Sequence, residues 1–368
     1  MKSLKLTALS YYVDRHGDVT DRVFSTKGGG SIASGRLQFH PALVAARQLD
    51  FDIKSYSLHS DRPSDVLKAE IGDLCLVGKM SANTKEHVKS MIIANMEYLT
   101  RAKNKGSKII IQYSDNLLAR KDMIGDFHRD LISFADHIVY PSRKLHELTS
   151  KHLPPSSDFS IIRDPWQVPE LVEPRELNTD EPLRLIWFGS NANIHYLVNS
   201  IPDITRIKSK RTNIILTILG GDFSHQKFTN YYNSLSEKIT GWTFELVRWD
   251  IHNQPNQLIS ELSKAHIAFI PSDPNDPMKA GVSHNRLVDA LRAGCVPIAS
   301  PMDSYLELQD MSLLGTSMAD LLKKALTNYD ALRLKIKNNA CHKLSVYDPK
   351  NNLKSWKKLL SSFVQEDN

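Results

Sequence analysis

The sequence predicts an α/β protein built from two Rossmann-like domains. Three observations lead to this prediction: short apolar runs alternate with helical periodicity, the alternation stops once, and it then resumes. Apolar runs of this length are typical of parallel strands that are covered by helices on both faces. The interruption is the proline-rich and acidic stretch 164–182, which we interpret as a solvated linker.

The interruption divides the chain into four parts. We predict an N-terminal domain at residues 1–165, a linker at 166–182, a C-terminal domain at 183–345 and a final amphipathic helix at 346–368 that packs at the domain junction. The predicted strands are 4–13, 53–58, 74–77, 109–113, 137–140, 183–188, 214–219, 243–247 and 267–270. The predicted helices are 41–49, 85–102, 124–135, 194–207, 228–240, 257–265 and 352–364.

Composition narrows the class of protein. A chain of 368 residues with a net charge of +6 and 41% hydrophobic residues is ordinary for a globular protein of about two domains. Cys75 and Cys295 lie in apolar runs, so we expect buried thiols in a reducing compartment. No apolar run is long enough to span a bilayer, and we expect a cytoplasmic protein, compatible with peripheral contact at the inner membrane face.

The most informative stretch is a strand, a polar loop, a helix and a second strand within residues 265–307. In open α/β sheets, such loops lie at the carboxyl ends of strands, where ligands bind. Asn285 and Asp289 are four residues apart, so we predict that both share the outward face of the helix and contribute to a ligand site. The alternative is an ordinary solvated helix face.

Two glycine-containing turns provide further candidates. The turn that holds Gly189, Ser190 and Asn193 follows a strand and opens a helix, so its backbone N–H groups suit a phosphate. Gly29 and Gly30 lie in a donor-rich turn whose successive backbone N–H groups suit an anion. The alternatives are a purely steric turn for the former and a mobile surface loop for the latter.

Polar residues also follow the first-half strands. Arg36 and His40 lie four residues apart near a helix start, and His40 has a side chain that can act as a base near neutral pH. Lys79 and Asp115 each follow a predicted strand and should face the same cleft. A capping role is the alternative for Asp115 and for His40.

Together these segments resemble a glycosyltransferase of the GT-B fold, in the group with the Glu-x7-Glu donor motif. The similar segments are residues 34–57, 135–142, 185–190 and 287–300, of which the last, LVDALRAGCVPIAS, is the most specific. The resemblance implies two Rossmann-like domains that face each other across a cleft, with the nucleotide-sugar donor in the C-terminal domain and the acceptor in the N-terminal domain.

The resemblance also implies roles for individual residues. Asp289 takes the place of the second acid, which binds the nucleotide ribose, whereas the first acid is replaced by Gly281. The usual Lys-Gly pair is missing, so Lys279 and Arg286 are the candidates that neutralise the donor diphosphate. Arg248 lies where such folds approach the base. Asp115 or His40 would serve as the base if the reaction inverts the anomeric centre, which the sequence leaves open.

The expected function is therefore glycosyl transfer from a nucleotide sugar to a hydroxyl of a glycan or glycolipid, in polysaccharide or glycoconjugate synthesis. We expect no metal and no cofactor. The expected acceptor contacts are Gly29, Gly30, Arg36 and Lys79. The alternatives are a nucleotide-sugar 2-epimerase, which shares the architecture, and a nucleotide-binding protein with a decayed site. A metal-dependent GT-A enzyme is more distant, and no basic and aromatic stripe indicates nucleic-acid binding.

Overall fold

The structure is a computed structural model that describes residues 3–10, 18–25, 33, 35–57, 63–79, 85–155, 157–178, 180–207, 213–234, 239–250 and 254–365. The chain forms two compact units. Unit 1 comprises Met1–Pro165, Pro277–Ser283 and Val346–Asn368, and unit 2 comprises Trp166–Asp276 and His284–Ser345. Each unit contains a six-stranded sheet with helices, which confirms the predicted α/β class.

Unit 1 has the strand order β2-β1-β3-β4-β5-β6, and neighbouring strands pair in parallel. Strands such as β3 and β5 are buried along their whole length, because helices cover both faces of the sheet. The strands are β1 (Lys5–Ser10), β2 (Asp52–Ser57), β3 (Leu74–Val77), β4 (Lys108–Gln112), β5 (His137–Tyr140) and β6 (Asp158–Ile161).

The helices of unit 1 include the C-terminal one, which packs against α2 and buries Trp356 and Leu360 in the same core as Leu43. A π-helical turn, Gly35–Phe39, leads into α2. The helices are α1 (Thr20–Ser25), α2 (His40–Arg47), α3 (Pro63–Leu67), α4 (Lys85–Asn104), α5 (Met123–Leu131), α6 (Arg143–Thr149) and, at the C-terminus, α13 (Pro349–Gln365).

Unit 2 has the strand order β12-β11-β10-β7-β8-β9, again with parallel neighbours. Its strands are β7 (Leu183–Phe188), β8 (Ile214–Gly220), β9 (Trp242–Arg248), β10 (Ile267–Ile270), β11 (Val296–Ala299) and β12 (Leu313–Leu314). Its helices are α7 (Ile194–Ile204), α8 (Asp222–Asn233), α9 (Gln254–Leu262), α10 (Asn285–Arg292), α11 (Met318–Thr327) and α12 (Tyr329–Lys343).

Local sequence signals fix several helix ends. Asp122 and Ser142 cap α5 and α6, since their side chains accept hydrogen bonds from the N–H groups of Gly125 and Leu145, both at 3.1 Å. Gly294 follows α10 with a φ of 79°, the left-handed conformation that ends helices and that glycine adopts without strain.

Several details differ from the sequence-based predictions, and the helices α11 and α12 are among the elements that were not predicted. The helix predicted at 228–240 is α8, which begins at Asp222 because this acidic side chain favours a helix N-terminus. Strand β6 and helix α6 were not predicted, because both expose much of their surface and lack a continuous apolar run. The linker is only partly solvated: Val168 is fully buried in unit 2. Among the described residues, no helix is both long and apolar enough to cross a membrane.

Candidate functional site

Each sheet has one point at which the strand order reverses. In unit 1, β1 lies between β2 and β3, and in unit 2, β7 lies between β8 and β10. Because successive connections run to opposite sides of the sheet there, a crevice opens beyond the carboxyl ends of these strands, and ligands of open α/β sheets bind in it. The carboxyl ends of β1, β3, β7 and β10 are therefore the places where functional side chains are expected.

Arg286 lies at this point in unit 2. Its guanidinium carbon is 5.8 Å from the centre of the Trp187 ring and 5.4 Å from that of Phe188, the last residue of β7. A Cβ placed on Gly189 would lie 3.6 Å from the same guanidinium carbon. The cation therefore lies directly beside the glycine turn that follows β7.

Two nitrogens of Arg286 have no hydrogen-bond partner. Nε and Nη2 are both buried, and no described residue accepts a hydrogen bond from either of them. Burial lowers the pKa of the guanidinium, although the nearby Tyr305 hydroxyl opposes this effect, and an arginine stays charged regardless. A buried charge without a partner costs several kcal/mol, whereas contact with aromatic rings returns only about 0.5–2 kcal/mol. An anionic ligand would supply the missing partner.

The neighbouring loops are arranged by short polar contacts. Ser190 begins a 3-10 turn and accepts a hydrogen bond from the N–H of Asn193 at 2.9 Å. Asn191 accepts a hydrogen bond from the Ser224 hydroxyl at 2.8 Å, which joins this turn to the start of α8. At the start of α10, the Asn285 side chain accepts a hydrogen bond from the N–H of Arg286 at 2.7 Å.

Asp289 was predicted on the outward face of α10, and this placement is wrong, because the residue is only 1% exposed. Its carboxylate accepts hydrogen bonds from the N–H of Gln167 at 2.7 Å, from the Gln167 amide at 2.9 Å and from the N–H of Val168 at 3.4 Å. One turn further along, Arg292 donates to the carbonyls of Val168 and Pro169, both at 2.6 Å. The second half of α10 thus holds the linker.

Two other predicted donor contacts, Arg248 and Lys279, have the following surroundings. Arg248 ends β9 and forms an ion pair with Asp222 at 2.7 Å, with both side chains largely exposed. Lys279 belongs to unit 1, because residues Pro277–Ser283 pack there rather than in unit 2. The roles assigned to both residues from the sequence remain predictions.

In unit 1 the structure brings Lys79 and Asp115 together beyond β3 and β4. Lys79 Nζ lies 2.6 Å from Asp115 Oδ2, and both side chains are partly buried. Burial raises the pKa of Asp115, but the charges of Lys79 and Lys279 outweigh this effect and hold the pKa below its usual value. Asp115 is therefore ionised at neutral pH, and the lowered pKa makes it a weaker base.

His40 and Arg36 lie in α2 and in the π-helical turn before it. His40 begins α2 and is half-buried, and burial lowers its pKa, so that its imidazole is neutral at pH 7 and able to accept a proton. Arg36 lies in the π-helical turn and is also half-buried. Gly29 and Gly30 lie outside the described residues.

The docking segment, which we define as Pro277–Ser283, packs on unit 1 beyond β4 and β5. Asn116 donates from its backbone to the carbonyl of Met278 at 3.3 Å and from its side chain to that of Pro277 at 3.0 Å. The Ser142 hydroxyl donates to the carbonyl of Gly281 at 2.8 Å.

Gly281 is packed too tightly to carry a side chain. An added Cβ would lie 2.7 Å from Leu145 Cα and 2.9 Å from Leu145 N, and neither backbone atom can turn aside. An acid therefore does not fit at the position where the family motif has its first one.

Sequence reasoning missed several residues that matter here. Trp187 was noted only as part of a strand, yet its ring packs against Arg286. His128 is buried behind the Lys79 and Asp115 pair, and its two ring nitrogens have no partner within the described residues. Arg292 had no signal apart from its i+3 spacing to Asp289, because its partners lie more than 120 residues away.

The described part of the chain contains no group of three or more His, Cys, Asp or Glu side chains arranged to hold a metal ion. Cys75 and Cys295 are buried as predicted, and burial raises the pKa of each thiol to about 12. Both are therefore unreactive core residues.

Solved structures of the same fold cover nearly the whole chain. Sucrose-phosphate synthase from Thermosynechococcus elongatus superposes with a TM-score of 0.67 at 12% identity, over 98% of this chain and 100% of that one. A glycosyltransferase from Rickettsia africae gives 0.61 at 10% identity over 99% of both chains. Anabaena HepE in complex with UDP and glucose gives 0.61 at 11% identity, over 98% of this chain and 100% of that one.

These comparisons establish the fold. The chain has the GT-B fold of these glycosyltransferases, and at 10–12% identity the likeness says nothing further about its activity. No family model matches the sequence, and no curated protein matches it. The Glu-x7-Glu family thus remains a resemblance, carried by residues 287–300. At the position of the first acid this chain has Gly281, and at the position of the second acid the carboxylate of Asp289 is hydrogen-bonded to the linker.

Proposed function

We propose that this protein transfers a glycosyl group from a nucleotide-sugar donor to an acceptor hydroxyl. The single observation that carries the proposal is the buried guanidinium of Arg286 at the switch point of unit 2, whose Nε and Nη2 find no partner among the residues that the structure describes. A diphosphate placed there would also meet the N-terminus of α10 and the open backbone at Gly189. The fold neighbour HepE, which is described in complex with UDP and glucose, supports this choice of ligand.

The chemistry requires stabilisation of a leaving diphosphate. The acceptor oxygen forms a bond to the anomeric carbon, the bond from that carbon to the phosphate oxygen breaks, and the nucleoside diphosphate leaves with the electron pair. Negative charge develops on the phosphate oxygens in this step, so a desolvated arginine beside them lowers the barrier. In the inverting case, His40 or Asp115 accepts the hydroxyl proton; burial lowers the pKa of His40, and the charges of Lys79 and Lys279 lower that of Asp115.

The proposal extends the expectations from the sequence. The acceptor is a glycan or a glycolipid in polysaccharide or glycoconjugate synthesis, and the reaction proceeds without a metal or a cofactor. The ribose role of Asp289 is left out, because its carboxylate holds the linker. The diphosphate role of Lys279 stays a prediction from the sequence and is not part of this proposal.

Binding of nucleotides to Arg286 variants tests the proposal. Among UDP, GDP, CMP, ADP and dTDP, we expect one to raise the melting temperature of the wild type, because a ligand that binds only the native state stabilises it. Arg286→Met keeps the volume but removes the charge, and we expect at least a tenfold loss of affinity by calorimetry, since hydrogen bonds to charged groups contribute about 1.5–3 kcal/mol.

Two controls make the result specific. Arg206→Met removes an exposed arginine that pairs with Asp203 in unit 2, and nucleotide affinity should not change. Without nucleotide, Arg286→Met should melt at or above the wild-type temperature, because it removes an uncompensated buried charge. If no nucleotide stabilises the wild type, or if Arg286→Met binds as tightly, the proposal is wrong.

Turnover assays then separate the alternatives. Glycosyl transfer requires both donor and acceptor and, by this proposal, persists in a chelator. Product from the nucleotide sugar alone would indicate an epimerase instead. Tight nucleotide binding with no turnover across donors and acceptors would indicate a binding protein.

A further inference from the structure

The docking segment contributes Lys279 to unit 1. The side chain of Lys279 is half-buried, and within the described residues its ammonium group makes no hydrogen bond and no ion pair, while its carbonyl accepts a hydrogen bond from the N–H of Val282 at 3.1 Å. Its charge nevertheless acts on Asp115 and helps to hold this carboxylate ionised. The ammonium group is therefore near the Lys79 and Asp115 pair but outside it.

The charged groups around this point are paired to different degrees. Lys79 compensates Asp115 at 2.6 Å, and Arg120 is paired with Asp122. His128 adds no charge at neutral pH, because burial and the neighbouring cations lower its pKa to about 3. Among these described charged groups, Lys279 is the cation that has no ion-pair partner of its own.

The backbone around Lys279 is held on both sides. Asn116 binds the carbonyls of Pro277 and Met278 ahead of it, and Ser142 binds the carbonyl of Gly281 after it. A cation on a fixed backbone loses less freedom when an anion binds than one on a mobile loop does. Lysine is also a frequent phosphate ligand, acting as a point charge.

We infer that unit 1 binds an acceptor that carries a phosphate group, and that Lys279 pairs with this phosphate. The inference rests on the proposed function, because it takes unit 1 as the acceptor side. It deepens that function by naming the chemical class of acceptor: a phosphorylated sugar or a phosphate-bearing lipid, in which the phosphate is bound beside the hydroxyl that reacts.

Calorimetry on the full chain with simple probes tests the inference. Glucose 1-phosphate and glucose 6-phosphate are compared with glucose and glucuronate, and vesicles that contain phosphatidic acid are compared with neutral vesicles. We expect at least one phosphate probe to bind at least about fivefold more tightly than its neutral counterpart. A soluble sugar phosphate as the preferred probe indicates a free acceptor, and preference for the anionic vesicles indicates a lipid-linked one.

Three variants make the test specific. Lys279→Ala and Lys279→Gln should both lose this preference, whereas Lys105→Ala, at the exposed amino end of β4 in the same unit, should keep it. UDP affinity should be unchanged in all three. The inference is overturned if every probe binds equally, or if the Lys279 variants weaken UDP binding and leave phosphate binding intact. Failure of the wild type to bind any nucleotide would refute the proposed function but leave a Lys279-dependent phosphate preference standing.

Discussion

The charged groups near the two switch points differ in how they are paired and how deeply they are buried. In unit 1 the cation of Lys79 is compensated by Asp115 at 2.6 Å, and the docking segment covers the neighbouring strand ends. In unit 2 the cation of Arg286 is buried against two rings and has two nitrogens without partners. A paired cation stabilises the folded chain by itself, whereas a cation without a partner is stabilised by a ligand. Of Lys279 in unit 1 and Arg286 in unit 2, which have no ion-pair partner among the described residues, Lys279 is half-buried and the guanidinium of Arg286 is the more deeply buried. The comparison therefore points to unit 2 as the unit that binds the more strongly charged substrate.

The same contrast appears within α10. Arg286, near the start of the helix, has two nitrogens without a partner among the described residues, whereas Asp289, one turn later, is hydrogen-bonded to the linker. The variant Asp289→Ala tests this contrast. Because three N–H donors lose a buried acceptor, we expect a loss of about 3 kcal/mol in the free energy of unfolding, measured by chemical denaturation. Asp203→Ala, which removes an exposed carboxylate of the same unit, serves as the control. Unchanged stability, together with loss of the preference for UDP over 2′-deoxy-UDP, would instead indicate that Asp289 binds the nucleotide ribose.

Gly281→Ala tests whether the docking segment covers unit 1 as described. The added Cβ meets the Leu145 backbone at 2.7 Å, so we expect a loss of about 2 kcal/mol and faster proteolytic cleavage within the segment. Gly315→Ala is the matched control, because its Cβ would meet only the flexible end of Leu321 at 3.1 Å. Equal cleavage rates in the two variants would contradict the close packing.

His128→Leu tests the buried neutral group behind the unit 1 pair. Burial lowers the pKa of His128 from 6.5 to about 3, so below pH 6.5 the unfolded chain binds a proton that the folded chain does not. The wild type should therefore lose stability as the pH falls from about 6.5 toward 3, by at most about 1.4 kcal/mol per pH unit from this residue. His128→Leu should flatten this slope, and the exposed His342→Leu should not. If the stability of all three proteins fell equally with pH, His128 would not be the buried neutral group described here.

The sequence was a good guide to the sheets because parallel strands are buried on both faces. The apolar runs at 74–77, 137–140, 183–188 and 267–270 match β3, β5, β7 and β10 residue for residue. The turn at Gly189 was also visible, since a strand and a helix flank it. These signals come from residues that are neighbours in the sequence, so they can be recognised without knowledge of the fold.

The contacts that define the site are not local. Asp289 meets Gln167 across 122 residues, and Ser142 meets Gly281 across 139 residues, so neither contact leaves a periodic or spaced pattern in the sequence. A helix start that holds an asparagine and an arginine could be identified, but whether each charge is paired depends on these distant partners. The sequence therefore located α10 correctly and misjudged which side chains it leaves free.

Residues Pro277–Ser283 and α13 belong to unit 1, although the rest of that unit ends at Pro165. An amino-terminal fragment that ends at the linker would consequently lack the docking segment over β4 and β5. It would also lack α13, which packs in the same core as Leu43. During translation, this unit can close its core only after unit 2 has been synthesised, because α13 follows unit 2 in the chain. The unit whose first strands are synthesised earliest is thus completed after unit 2.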